Sequence, residues 1–316
     1  MADIIGDDED NVLQGTTDSD TFDGKGGSDI FVVRNDSGFN TYFDTGTDGT
    51  DAIVAFGQTV SIGLTNSFTP ENGIEVISSG GNPVVFIDGA FTNDLFDFSQ
   101  TELIGIRKIE MGPGRDTVIG TENGENIRGN NGNDSLEGGG GRDLLQGGSR
   151  NDWDPVADAG HLDDGNDILI GGRGRDAMAG GANDDILRGG QGADLLYGGS
   201  GNDTLEGGGL PDTFLYRDIG EGGDLILDFS QFRDKIDMVA IDADESTEEN
   251  DAFLFAGQVE GAAVANSVSY EIIDGSTMVR ADVTGDTVAD FEIELVGEMR
   301  LTRLDFDFTD NGLIPF

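Results

Sequence analysis

The sequence predicts an all-β protein: a parallel β-roll or β-helix solenoid, capped at its C-terminal end by an antiparallel β region. Three observations predict it. From Met111 to Leu215 the chain advances in steps of nine residues, and a fixed short period marks a stacked-repeat architecture. Glycine occurs 52 times while hydrophobic residues make up only 36%, a balance too poor for an ordinary globular core. The 63 acidic and 17 basic side chains leave a formal net charge of −46, so the compact state repels itself unless cations are bound.

The repeat units read Gly129-Asn-Asn-Gly132-Asn-Asp134-Ser-Leu136-Glu, then Gly138 to Gln146 in the same phase. Gly171, Gly180, Gly189 and Gly198 open four more. An acidic residue recurs at Asp116, Glu125, Asp134, Asp143 and Asp152, then at Asp167, Asp176, Asp185, Asp194, Asp203 and Asp212. The longer step from Asp152 to Asp167 marks an insertion. Glycines allow six residues to make a tight turn. The last three form a short strand with one inward apolar side chain: Val118, Ile127, Leu136, Leu145, Leu169, Met178, Leu187, Leu196, Leu205 and Phe214. Two nonapeptides make one coil, so residues eighteen apart stack.

Stacked aspartates and glycine-loop carbonyls offer an all-oxygen cage, which suits calcium rather than zinc or copper. Cysteine is absent, so neither disulfides nor thiolate metal sites staple the fold. The candidate ligands are Asp20, Asp29, Asp116, Asp134, Asp143, Asp152, Asp167, Asp176, Asp185, Asp194, Asp203 and Asp212, with Gly132, Gly141, Gly174, Gly192 and Gly201 in the loops. One inward side chain per nine residues does not offset the entropy of ordering nine. The roll is therefore expected to fold only with its ions, and binding free energy becomes folding free energy.

The tandem G-G-x-G-x-D-x-U-x motif resembles the RTX repeats of bacterial proteins exported by type I secretion. That resemblance covers about a third of the chain and implies an extracellular, calcium-folded solenoid. Asn123, Asn183, Arg150 and Leu210 depart from the motif at its later glycine. Asparagine tolerates left-handed backbone; Leu210-Pro211 marks a weak last site, and Arg150 opens the insertion.

Residues 1–32 hold a shorter block in the same phase, with Asp20 and Asp29, where fewer and weaker ions are expected. Residues 33–110 lose the glycine step but keep β character, as in Ala52–Phe56 and Val84–Asp88, and read as wider β-helix coils. Gly73–Ile77 and Gly105–Glu110 look like two copies of one rung. Residues 111–215 are the main roll, with its insertion at 153–162. Residues 216–316 resemble the C-terminal cap of serralysin-type secreted proteins, through Asp228-Phe229, Asp282-Val-Thr-Gly285-Asp286, Asp290-Phe291 and Leu304-Asp305-Phe306. That resemblance implies an uncleaved C-terminal secretion signal. An Asp274-Gly275 hairpin turn is expected. Asp282, Asp286 and Asp290 read either as a further ion site or as a polar turn.

The serralysin protease motif H-E-x-x-H is absent: His161 is the single histidine, and it lies in the insertion as a solvated loop residue. No catalytic residue or organic cofactor is assigned. The N-terminus lacks the basic and apolar regions of a signal peptide, and no apolar run is long enough to span a membrane. Nucleic acid and anionic membranes are poor partners for so acidic a chain. The expected function is a secreted calcium-binding protein with a structural, surface-layer, matrix or adhesion role. It would self-associate into filaments or sheets or bind cell-surface polysaccharide. Two alternatives are a polysaccharide-binding or -modifying module and a small effector acting on host cells. Trp153 either contacts a partner or folds back over the solenoid edge.

Overall fold

The computed structural model describes residues 2–34, 38–46, 49–57, 59–65, 67–148, 165–243 and 251–308. Asp152, Arg150 and the 153–162 insertion with Trp153 and His161 lie outside them. The chain is nearly all β. Among the described residues the helical elements are three short 3-10 turns, at Pro70–Asn72, Ile219–Glu221 and Arg303–Asp305. No helix there is long and apolar enough to cross a membrane. The fold is a parallel β-solenoid with an antiparallel region near the C-terminus, as the repeat period predicts. It divides into two compact units, residues 1–149 and 150–316.

The first unit stacks strands into three parallel sheets. One runs from Asp3–Ile5 through Thr21–Asp23, Phe39–Phe43, Val60–Leu64, Val85–Asp88, Lys108–Glu110 and Asn126–Arg128 to Leu144–Gln146. A second runs from Val12–Gln14 to Glu102–Ile104, and a third from Ser67–Phe68 to Ser135–Gly141. Register sets the coil length: Leu13 pairs with Phe31, Phe31 with Ile53, Ile53 with Ile77, and Ile77 with Leu103. The coil thus widens from eighteen residues to more than twenty, and returns to eighteen where Ile109 meets Ile127.

One expectation is corrected. Gly73–Ile77 and Gly105–Glu110 are not copies of one rung. Val76–Ser78 pairs with Glu102–Ile104, whereas Lys108–Glu110 pairs with Val85–Asp88 in a different sheet. A short apolar alternation after glycine looks alike on every side of a coil; only its phase around the coil distinguishes the sheets.

The core of the first unit is one inward column per sheet. Ile53, Ile62, Ile77, Ile87, Val118, Ile127, Leu136 and Leu145 are fully buried. Towards the N-terminus larger rings fill the coil. Phe22 stacks on Tyr42 with centroids 5.0 Å apart, and Phe31 meets both edge-on at 5.9 Å.

The second unit repeats the roll. Ala177–Ala182, Leu195–Ser200, Thr213–Leu215, Lys235–Asp237 and Phe306–Asp307 form one parallel sheet. Ile168–Gly174, Ile186–Gln191, Thr204–Gly209 and Leu225–Ile226 begin another. Leu169, Met178, Leu187, Leu196, Leu205, Phe214, Ile226 and Ile236 are fully buried between them. Phe291–Leu295 adds to Leu225–Ile226 in parallel, and the antiparallel strands Ser276–Asp282 and Ser267–Ile273 follow. Asp274 and Gly275 turn that hairpin with φ of 52° and 93°, as a type I′ turn requires.

Candidate metal centre

The nine-residue step places each aspartate directly above the one eighteen residues on, and backbone joins them. The N–H of Asp116 donates to Asp134 Oδ1 at 2.7 Å, and that of Asp167 to Asp185 Oδ1 at 2.7 Å. Asp176 is joined in the same way to Asp194, Asp185 to Asp203, and Asp194 to Asp212, at 2.8–2.9 Å. Glu125 donates to Asp143. Each carboxylate therefore spends Oδ1 on the turn before it. This arrangement stacks the predicted aspartates of the main block that lie among the described residues.

The second oxygen is different. Asp29, Asp116, Asp194, Asp203 and Asp212 are at most 2% exposed, and their Oδ2 atoms accept no hydrogen bond. Those of Asp29, Asp194, Asp203 and Asp212 face the first glycine of their own repeat. A Cβ on Gly189 or Gly207 would stand 2.5 Å from Asp194 or Asp212 Oδ2, so only glycine fits there. A buried, charged acceptor without a donor is costly. It needs a proton or a cation.

At four of these five sites the second residue of the repeat has positive φ; Asp116 is the exception, since Gly112 does not take it. Lys25, Gly190, Gly199 and Gly208 have φ between 82° and 101°, and the aspartates four residues on, Asp29, Asp194, Asp203 and Asp212, keep a donorless Oδ2. Where threonine stands there without positive φ, it donates instead. Thr16 gives its N–H at 2.6 Å and its hydroxyl at 2.8 Å to Asp20 Oδ2, and Ala2 N–H serves Oδ1. Burial raises the Asp20 carboxyl, but these hydrogen bonds outweigh it and hold it below its ordinary value. Thr121 likewise donates to both oxygens of Glu125.

The chain has no cysteine, and its single histidine lies outside the described residues, so the described turns offer carboxylate and carbonyl oxygens, which fit a hard cation. Among the described residues no three acidic or histidine side chains converge. An ion must therefore draw most of its oxygens from backbone carbonyls. The later glycines lie against such carbonyls: a Cβ on Gly132 would overlap Gly114 O, and one on Gly192 would overlap Gly174 O and Asp194 Oδ1. Gly141, Gly174 and Gly201 take φ of 94°, 136° and 149° at the same position.

Asn183 takes φ 80° there, as expected of asparagine, whereas Asn123 does not adopt positive φ. Leu210 does so at φ 70°, a conformation costing a side chain ~1–2 kcal/mol. The ladder still passes this point, since Asp212 N–H donates to Asp234 Oδ1 at 3.1 Å.

The ladder extends beyond the residues that the nonapeptide phase identifies. Asp29 N–H donates to Asp51, Asp51 N–H to Glu75, Asp94 N–H to Asp116, and Asp203 N–H to Asp224. Their shared signal is weak: an acid two residues before a buried apolar side chain, as in Asp51-Ala52-Ile53 and Asp224-Leu225-Ile226. The loop of Asp282, Asp286 and Asp290 is tied by its own carboxylates. Asp282 accepts from Gly285 and Thr287 N–H, Asp286 from Val288, and Asp290 from Val283 and Thr284. These contacts are those of a polar turn.

Burial, with neighbouring carboxylates adding to it, pushes Asp116 and Asp194 up to about 6 and Asp134 and Asp212 up to about 7 in the metal-free state. Asp203 and Asp224, packed together, are raised as well. The unfolded value is 3.8, so between pH ~4 and ~7 the folded state binds more protons than the unfolded one. Without metal, stability is full below ~4 and is lost as pH rises through 6–7. In chelator, circular dichroism should gain β signal on acidification from pH 8 to 5. A signal flat across that range would contradict it.

Four stretches, residues 4–37, 119–153, 161–196 and 179–214, match the model of the RTX calcium-binding nonapeptide repeat. No curated protein matches the chain in sequence. Such repeats bind calcium at multiple sites.

Proposed function

We propose that this RTX-repeat protein leaves its cell unfolded, folds on extracellular calcium, and acts there as a structural, surface-layer, matrix or adhesion component. The observation that carries this reading is the column of buried aspartates whose second oxygen has no donor. In this reading Asp29, Asp116, Asp194, Asp203 and Asp212 bind calcium most strongly. Asp134, Asp176 and Asp185, one turn away in the same ladders, join them, as do Asp167, one turn beyond Asp185, and Asp143, which is laddered with Glu125. Carbonyls around Gly132, Gly141, Gly174, Gly192 and Gly201 complete the oxygen set. Asp20 serves chiefly its threonine, so the N-terminal block binds fewer ions. The aspartates act as folding staples rather than as a reaction centre.

Export fits the same chemistry. A chain of net charge −46 in calcium-poor cytosol resists compaction and stays threadable. The antiparallel strands of residues 267–295, added to the last parallel strands, fit a serralysin-like cap, and a C-terminal type I secretion signal is part of the same proposal. Electron microscopy of the purified protein tests the role. Ordered filaments or sheets with calcium, dispersed by chelator, are the expected result. Dispersed monomers at every calcium concentration would count against self-assembly.

A further inference from the structure

We propose that the outer face of the first unit carries a binding cleft for a neutral oligosaccharide. The inference rests on the adhesion reading above and supplies its ligand. The cleft is open to solvent and has a volume of about 360 Å³, within the range of small-molecule sites. Its walls are Phe39, Phe91, Asp88, Glu110, Asn130 and Asn131.

Strand register builds it. Ile87, Ile109, Ile127 and Leu145 point into the solenoid and are at most 1% exposed. Their neighbours Asp88, Glu110 and Arg128, each half-buried, therefore stack in a column on the outer side of the sheet, followed in register by the buried Gln146, one rung every ~4.8 Å. Ser61 donates its hydroxyl to Asp88. Glu110 lies 3.4 Å from both Lys108 Nζ and Arg128 Nη1, and Arg128 also donates to Gln146 at 2.8 Å. These side chains are held in place before any ligand arrives, which lowers the cost of ordering them on binding.

Beside this column stands Phe91, 79% exposed. It is held edge-on against Phe39 with centroids 6.5 Å apart and planes at 73°. An exposed ring in a cleft of carboxylates and amides matches a pyranose, whose apolar C–H face stacks on an aromatic while its hydroxyls hydrogen-bond around the rim. Charge selects within that class. Lys108 and Arg128 are engaged by Glu110, and Asp88 adds negative charge. Uronate and sulfated glycans are repelled, and a neutral chain is not.

The test is calorimetric titration of the calcium-loaded full-length protein with neutral hexaoses of the glucan, xylan and mannan types, and with a uronate hexamer. At least one neutral hexaose is expected to bind, and the uronate hexamer to bind far more weakly. Phe91→Ala should weaken binding about tenfold or more, and Asn131→Ala should weaken it too. Phe91→Ala should keep the calcium-induced β transition, since Phe91 is mostly in solvent. Three results would each overturn the cleft: no neutral hexaose binding at millimolar concentration, uronate binding as tight as neutral, or unchanged affinity in Phe91→Ala. With the calcium transition intact, such a failure would leave the calcium-folding reading standing.

Discussion

Chelating calcium from the folded protein is expected to abolish most of its β structure, and returning calcium to restore it steeply. The reason lies in the core. Each nonapeptide buries one large side chain, such as Leu187 or Leu205, and must order nine residues around it. Bound ions supply the difference. A site with Kd near 10⁻⁴ M in millimolar calcium contributes about 1.4 kcal/mol. Several such sites together reach the 5–15 kcal/mol typical of a whole domain. They also lift the penalty of buried, donorless oxygens. Far-UV circular dichroism during EGTA addition and calcium back-titration measures this directly. Magnesium should restore little, since it demands tighter octahedral geometry and sheds water reluctantly. Retention of full β structure in EGTA would show that the core alone suffices.

Replacing Asp194 with asparagine should raise the calcium midpoint several-fold, and replacing it with alanine should raise it further. Asp194 has two separable duties. Its Oδ1 accepts the Asp176 N–H at 2.9 Å, a bond to a charged group worth ~1.5–3 kcal/mol. Its Oδ2 has no donor and faces Gly189. Asp194→Asn would retain an acceptor for the Asp176 N–H but lose the charge that holds a cation; Asp194→Ala loses both. Glu125→Gln is the control, because Thr121 already donates to both oxygens of Glu125. Its midpoint should hardly move. A wild-type midpoint for Asp194→Asn would mean that the carboxylates serve only the backbone ladder.

Much of this was legible in the sequence because the repeat fixes phase. Once Asp134 and Leu136 have roles, the same offsets assign Asp194 and Leu196 or Asp203 and Leu205, and all three leucines are fully buried. The hairpin at Asp274-Gly275 was equally legible, since positive φ at consecutive positions favours few residue types. Phase fails between residues 33 and 110. There the coil length changes from turn to turn, and Ile77 and Ile109 fall in different sheets despite similar flanking residues. The contrast between Thr16 and Gly190 was visible as letters only. Its meaning depends on which way one N–H points, and that follows from φ. The cleft had no local signal at all: Phe39, Asp88, Phe91, Glu110 and Asn131 are spread over more than ninety residues of sequence and meet only through register.

The carboxylate ladder has a direction. Asp176 is completed by Asp194, Asp194 by Asp212, and Asp212 by Asp234; Asp185 is completed by Asp203, and Asp203 by Asp224. Every rung waits for one encoded later. A nascent chain growing from its N-terminus thus always ends in an unfinished turn, with a backbone N–H lacking its acceptor. Only when the ribosome has passed Asp224 and Asp234 are these two columns closed. The last turns are thus encoded last, and a chain truncated before Asp224 is expected to lack the acceptors for the N–H groups of Asp203 and Asp212.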